Sequence, residues 1–120
     1  MSFARFARIA FVSALVFATV MALLPRPPQL GPEVGDKVRH MVAFGTLAIL
    51  AAAGWPRTPL LRIGERLSFL GAMIEVAQSI PALRRACDIR DWLADTAAVA
   101  AVLLVVWVWR NRFARAGGPR

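Results

Sequence analysis

Long apolar runs, broken off by prolines, arginines and acidic residues, organise this chain: approximately Ile9 to Leu24, Val38 to Ala53, Leu67 to Leu83 and Trp92 to Trp109. Within the last run, Thr96 to Val106 (TAAVAAVLLVV) is apolar on every helical face, the pattern of a helix sunk in a core or a membrane. The pattern predicts four membrane-spanning helices and little else. Several runs fall short of the roughly 20 residues that cross a bilayer core. Flanking Arg and Lys lengthen them, because their aliphatic stems lie along lipid while the charged ends reach water. Trp55, Trp92, Trp107 and Trp109 fall near the predicted helix ends, as interfacial aromatic anchors do. Pro25 to Pro32 cannot continue a helix and reads as an extended connection, Pro56 and Pro59 bracket the next one, and Gly117 to Arg120 is a loose tail.

Composition agrees with that medium. Apolar residues make up 58% of the 120 residues and charged residues 18%, against roughly 45–50% apolar in soluble domains. A soluble bundle with a greasy core is the alternative, and a chain this small has little interior in which to hide so much apolar surface. The length leaves room for a single domain spanning residues 1–120, an all-α, four-helix transmembrane bundle. Met1 to Arg8 (MSFARFAR) followed by an apolar run could open a signal peptide. The run ends in Leu23-Leu24-Pro25-Arg26-Pro27-Pro28 without an Ala-x-Ala site, so an uncleaved first helix is expected.

Charge sets the orientation. One side carries Arg5, Arg8, Arg57, Arg62, Arg66, Arg110, Arg112, Arg115 and Arg120, with Glu65 the only acid. The other side balances six bases against six acids, so the whole net charge of +8 falls on the first side. Bases collect on cytoplasmic loops, so both termini are expected in the cytoplasm of a multi-pass protein of the bacterial inner membrane. The basic balance is a topology signal. No basic-aromatic pattern of a base-stacking surface appears, and no nucleic-acid partner is expected.

The remaining polar residues fall into three stretches: Asp36-Lys37-x-x-His40, Glu75-x-x-Gln78 and Arg85-x-x-Asp88-x-x-Asp91-x-x-x-Asp95. Each lies at the outer end of a predicted helix. At 1.5 Å per residue, Glu75 sits roughly 9 Å inward from Pro81, and His40 and Asp95 roughly 6 Å inward from Asp36 and Asp91. Asp36 and His40, Asp91 and Asp95, Glu75 and Gln78, and Asp88 and Asp91 stand three or four residues apart, so each pair shares a helical face. Lipid will not face these stripes. A shallow polar pocket ringed by the second, third and fourth helices is the expected object.

At these stretches the chain resembles the VanZ-like family of small bacterial membrane proteins. Asp36-Lys37-Val38-Arg39-His40-Met41-Val42-Ala43-Phe44-Gly45, Glu75-Val76-Ala77-Gln78 and Arg85-Ala86-Cys87-Asp88-Ile89-Arg90-Asp91-Trp92-Leu93-Ala94-Asp95-Thr96 follow that family's three patterns in order. Two positions depart from them: Asp95 stands where the family commonly has Asn, and Ala98 where a small Gly tends to follow. The resemblance implies a link to tolerance of teicoplanin-type glycopeptides, which is a phenotype and names no reaction.

Chemistry is read from the residues. His40 is the only histidine, and an imidazole beside carboxylates suits general acid/base work. Asp36 would orient it, with Glu75 or Asp91 as second acid or base; these four are the candidate catalytic residues. Lys37, Gln78, Arg85, Asp88 and Asp95 are candidates for holding a ligand. Phosphate is the natural anion at a lipid surface, and Arg matches it by bidentate contact. The expected partners are therefore membrane lipids or a lipid-linked envelope precursor. A metal version would use His40, Asp36, Glu75 and Asp91, a set that selects no ion strongly. With no His-x-x-His or Cys-x-x-Cys spacing, no metal or cofactor is expected.

Whether the chain is an enzyme stays open. The same charges would also serve as an ionic clamp aligning three helices in a structural or accessory subunit. Autonomous transport is disfavoured, because alternating access usually relies on paired repeats and none is found. Small residues in the second run (Gly45, Ala48, Ala51, Ala52) and the fourth (Ala94, Ala97, Ala98, Ala101) permit close helix approach, within the chain or in a homo-oligomer.

Overall fold

The computed structural model describes residues 2–24, 35–83 and 88–116. It is all-helical: α1 spans Phe3–Leu23, α2 Asp36–Gly54, α3 Leu60–Gln78 and α4 Ile89–Ala116, with a short 3-10 turn at Pro81–Leu83 and no strand among the described residues. The expected number of helices is therefore found, with boundaries that differ where capping groups decide them.

Helix α1 begins at Phe3, six residues before the apolar run, because the Ser2 hydroxyl accepts a hydrogen bond from the Arg5 N–H at 3.1 Å and caps the first turn. Helix α3 begins at Leu60, immediately after Pro59, and carries Arg62, Glu65 and Arg66 on exposed positions of its first two turns. It also ends earlier than the apolar run. Ser79 and Ile80 donate their N–H groups to Val76 and Ala77, 3.1 Å away in each case, so the last turn tightens to three-residue spacing. Pro81, with no N–H and a ring that crowds the preceding residue, then stops it. Helix α4 runs on to Ala116, a length of about 42 Å against a bilayer core of about 30 Å.

Helix α2 is the central element. It packs against α1 on one side and α4 on the other, while α3 packs mainly against α4 and more lightly against α2 and α1. Helices consecutive in the chain run antiparallel, as Arg8 to Gly54 shows for α1 and α2. Thus α1 and α3 run parallel with their ends tied by Gln78 to Ala22, and α2 and α4 run parallel with His40 beside Asp95 at one end and Arg110 on Ala52 at the other. Ala48, Ala51 and Ala52 of α2 are buried, and Gly45 lies close enough to Val102 that an added Cβ would stand 3.5 Å from it. The small residues of α2 thus serve packing within the chain. In α4 only Ala98 of the corresponding set is buried, while Ala97 and Ala101 face outward. Phe44, Leu47, Leu67, Ile74, Val99 and Leu103 complete the core.

The outward faces are apolar on every helix. Phe17, Val42, Phe69 and Val105 are each more than half exposed, one from each of α1 to α4. Helices α1 and α4 are long and apolar enough to cross a membrane, with mean hydropathy of 2.1 and 1.9. Helices α2 and α3, of 19 residues each, confine their charged residues to the first turn of α2 and to the first two turns and last turn of α3.

At the end remote from His40, two arginines close the C-terminus of α2. Arg8 Nε donates to the Gly54 carbonyl at 2.6 Å and Arg110 Nη2 to the Ala52 carbonyl at 2.8 Å. Both satisfy carbonyls that a helix end leaves without an internal partner, and both place positive charge at the negative pole of the helix. Trp55, next to this cap, lies under the Arg8 guanidinium, 5.7 Å from its ring centre, and edge-on to Phe11 at 5.2 Å.

Candidate functional site

At the opposite end, the first turns of α2 and α4 and the last turn of α3 bring their polar residues together. His40 is the hub. Its Nδ1 lies 2.9 Å from Asp95 Oδ1 and its Nε2 lies 3.9 Å from Asp91 Oδ2. Glu75 completes the group: His40, Glu75 and Asp91 each offer one ligand-type atom, and these atoms all lie within 4.8 Å of one another. Asp95 is fully buried, and Glu75 and Asp91 are 6% and 7% exposed. The convergence follows from spacing, since each pair of polar residues turns one face of its helix toward the others.

Several of these groups hold the local structure. Glu75 Oε2 accepts the backbone N–H of Asp88 at 3.0 Å, tying the end of α3 to the start of α4. Asp88, just before α4, accepts the Arg90 N–H on its Oδ1 at 2.9 Å, the geometry of an N-cap. That hydrogen bond, together with the Lys37 ammonium 3.6 Å from Oδ2, holds the Asp88 carboxyl below the usual carboxylate range. Lys37 also approaches Asp91 Oδ1 at 3.7 Å, and with half its side chain exposed it forms the rim of the cluster.

Gln78 goes elsewhere. Although it shares a face with Glu75, its amide Nε2 donates to the Ala22 carbonyl at 2.8 Å, so it ties α3 to the last turn of α1. Helix α1 thereby joins the site's surroundings, which the sequence reading limited to three helices. The Asp36 backbone begins α2, and its side chain lies outside the described residues, as does all of Arg85.

Two buried carboxylate oxygens, Glu75 Oε1 and Asp95 Oδ2, have no hydrogen-bond partner among the described residues. Gln78 Oε1 shares this state, and buried polar atoms left so are costly.

Below the carboxylates the polar column continues through residues the sequence reading passed over. Gly71 stands under Asp95: a Cβ there would lie 3.1 Å from Asp95 Oδ2 and 3.4 Å from Trp92 Cδ1. One turn further, the Ser68 and Thr96 hydroxyls meet at 2.9 Å, and the Trp92 indole N–H donates to the Ser68 carbonyl at 3.0 Å. Trp92 is thus a packing and hydrogen-bonding residue between α3 and α4, unlike Trp107 and Trp109, which are mostly exposed. The available signal was the 3-4-3 recurrence of Ser68, Gly71, Glu75 and Gln78 along one face of α3.

Of the residues expected to line a shallow pocket, Glu75, Gln78, Asp91 and Asp95 are themselves buried. Two surface grooves lie away from them. One of about 210 Å³ is bordered by Phe11, Trp55 and Arg66 at the arginine-capped end. The other, of about 660 Å³, runs between α3 and α4 past Leu61, Gly64 and Leu104. Both are mainly apolar, while the titratable groups gather at the His40 end. Comparison with protein families, with curated proteins and with solved structures brought no match.

Proposed function

We propose that the chain is a four-span protein of the bacterial inner membrane with both termini in the cytoplasm, and that its outward-facing Asp/His/Glu centre acts on or senses phosphate-bearing lipids or lipid-linked precursors of the cell envelope. The span reading is supported by the apolar outer face of all four helices, since monomeric soluble proteins rarely expose such continuous apolar surface. The basic arginine-capped end suits the cytoplasmic face and the mixed-charge His40 end the outer face. Resemblance to the VanZ-like family, carried by the three polar blocks, agrees with an envelope role and with tolerance of teicoplanin-type glycopeptides.

The observation that carries the chemistry is the pair of contacts made by His40. With Asp95 accepting from Nδ1–H, the ring is held in one tautomer and Nε2 is turned toward Asp91 and Glu75. That nitrogen is placed to take or give a proton at the mouth of the cluster. Lys37 at the rim supplies positive charge for an anionic head group, and Arg85 is assigned the same task.

The ionic clamp is the second reading, favoured by the Lys37 bridge to Asp88 and Asp91 and by the Glu75 hold on the Asp88 N–H. It leaves Glu75 Oε1 and Asp95 Oδ2 without a purpose. Single substitutions Asp36→Asn, His40→Ala, Glu75→Gln, Arg85→Ala and Asp91→Asn, scored for both membrane abundance and envelope-stress or glycopeptide susceptibility, separate the two. Normal abundance with an altered phenotype is expected; parallel loss of both would leave the clamp as the role.

A further inference from the structure

We infer that His40, Glu75 and Asp91 form a binding site for one divalent transition-metal cation, with Asp95 as the carboxylate that orients His40 from behind. The geometry is the first support. Ligand atoms around a single ion at about 2.1 Å lie within about 4.2 Å of one another, and here the three lie within 4.8 Å. Side-chain rotations that close about half an ångström bring them into range, well inside the freedom of a Glu or Asp terminal torsion.

The second support is independent of that cluster. Asp95 Oδ1 lies 2.9 Å from His40 Nδ1, so the remaining nitrogen, Nε2, is the one that faces Asp91. Metal-ligating histidines almost always donate their other ring N–H to a carboxylate or carbonyl in this manner, which fixes the tautomer and raises ligand basicity. Asp95, fully buried and seated over Gly71, can reach no solvent and serves that orienting role.

The third is the orphan oxygen. Glu75 is 94% buried and its Oε1 has no hydrogen-bond partner among the described residues, while its Oε2 is held by the Asp88 N–H. One oxygen is anchored and the other is left for a ligand.

One imidazole nitrogen and two carboxylates form a mixed set, suited to Mn²⁺, Fe²⁺ or Zn²⁺ better than to Mg²⁺ or Ca²⁺, which prefer oxygen alone. Three protein ligands leave at least one position for water or an anion. The site stands whether or not the centre acts on lipids; if it does, the open position is where a phosphate oxygen would be taken up.

The test uses full-length protein purified in detergent, stripped with a chelator and titrated with Mn²⁺ or Zn²⁺ by calorimetry. One ion per chain is expected. Glu75→Gln and Asp91→Asn should each weaken affinity about tenfold or more, Asp95→Asn about ten- to a hundredfold with one ion per chain retained, and Glu65→Gln, an exposed acid at the arginine-capped end, no more than about threefold. Pulsed EPR of the Mn²⁺ form should show coupling to one imidazole nitrogen. Wild-type binding no stronger than that of the folded triple variant His40→Ala, Glu75→Gln, Asp91→Asn overturns the inference, and so does the absence of nitrogen coupling in the wild type, which needs no variant to fold. Metal binding by a protein whose ligand variants leave the envelope phenotype intact would sink the proposed function and leave the site standing.

Discussion

Gly71 illustrates how closely single residues are fitted around the polar centre. An alanine there would place its Cβ 3.1 Å from Asp95 Oδ2, which is fully buried and held by His40. Overpacking of this kind costs about 1–3 kcal/mol. Gly71→Ala should lower stability by that amount in a thermal or denaturant melt, whereas Gly35→Ala, with nothing within 4 Å of its Cβ, should have little effect. Asp88 makes a second residue-level expectation. Its folded carboxyl titrates below the unfolded one, so its contribution is fully present above the unfolded value and fades as pH falls through the folded one. The N-terminal turn of α4 should therefore stay protected in mild acid and fray only below the ordinary carboxylate range. Hydrogen exchange at the Arg90 amide checks this, and unchanged acid behaviour in Asp88→Asn would remove the cap from the explanation.

Among the elements, α2 depends most on its neighbours. Its N-terminus presents His40 and its C-terminus is closed by arginines from α1 and α4. Removing a charge-assisted hydrogen bond to a part-buried carbonyl costs about 1.5–3 kcal/mol at most. Arg8→Ala and Arg110→Ala should each lower stability by up to about that much. Gly54→Ala should cost more than either, because its Cβ would meet the Arg8 backbone N at 3.2 Å and force α1 away from α2. A melt ordering these three variants differently would reject the cap.

The same element shows what was legible in the sequence. Four apolar runs named four helices, and the spacing of His40, Glu75, Asp91 and Asp95 placed them on converging faces, because charge inside an apolar run is a loud signal. Helix ends were misread where a single cap, Ser2 or the Ser79 turn, decided the boundary. Gln78 was assigned to the centre because helical spacing says which face a residue shares but not which neighbour lies opposite. Gly71 and Ser68 went unread, Thr96 was counted in an apolar stretch and Trp92 was taken for an interfacial anchor, since such residues within a greasy run announce no partner until the facing helix is known.

On the scale of the whole molecule, the two ends differ in kind. One has two arginines closing backbone carbonyls; the other is a carboxylate centre with Lys37 at its rim. With Cys87→Ser as background, a cysteine at Asp88 should react with a membrane-impermeant maleimide in intact cells. One at Arg57 should react only after the membrane is opened. The reverse pattern would invert the proposed orientation, and equal reaction at both would argue against a spanning bundle.

The arginine cap has a temporal side. Ala52 and Arg110 are 58 residues apart, so at about 5–20 residues per second the ribosome takes roughly 3 to 12 s to supply the partner of that carbonyl. During that interval the Ala52 carbonyl near the end of α2 has no guanidinium to donate to it. A nascent chain halted before Arg110 would keep that carbonyl open, so the cap on α2 closes only once α4 has been made.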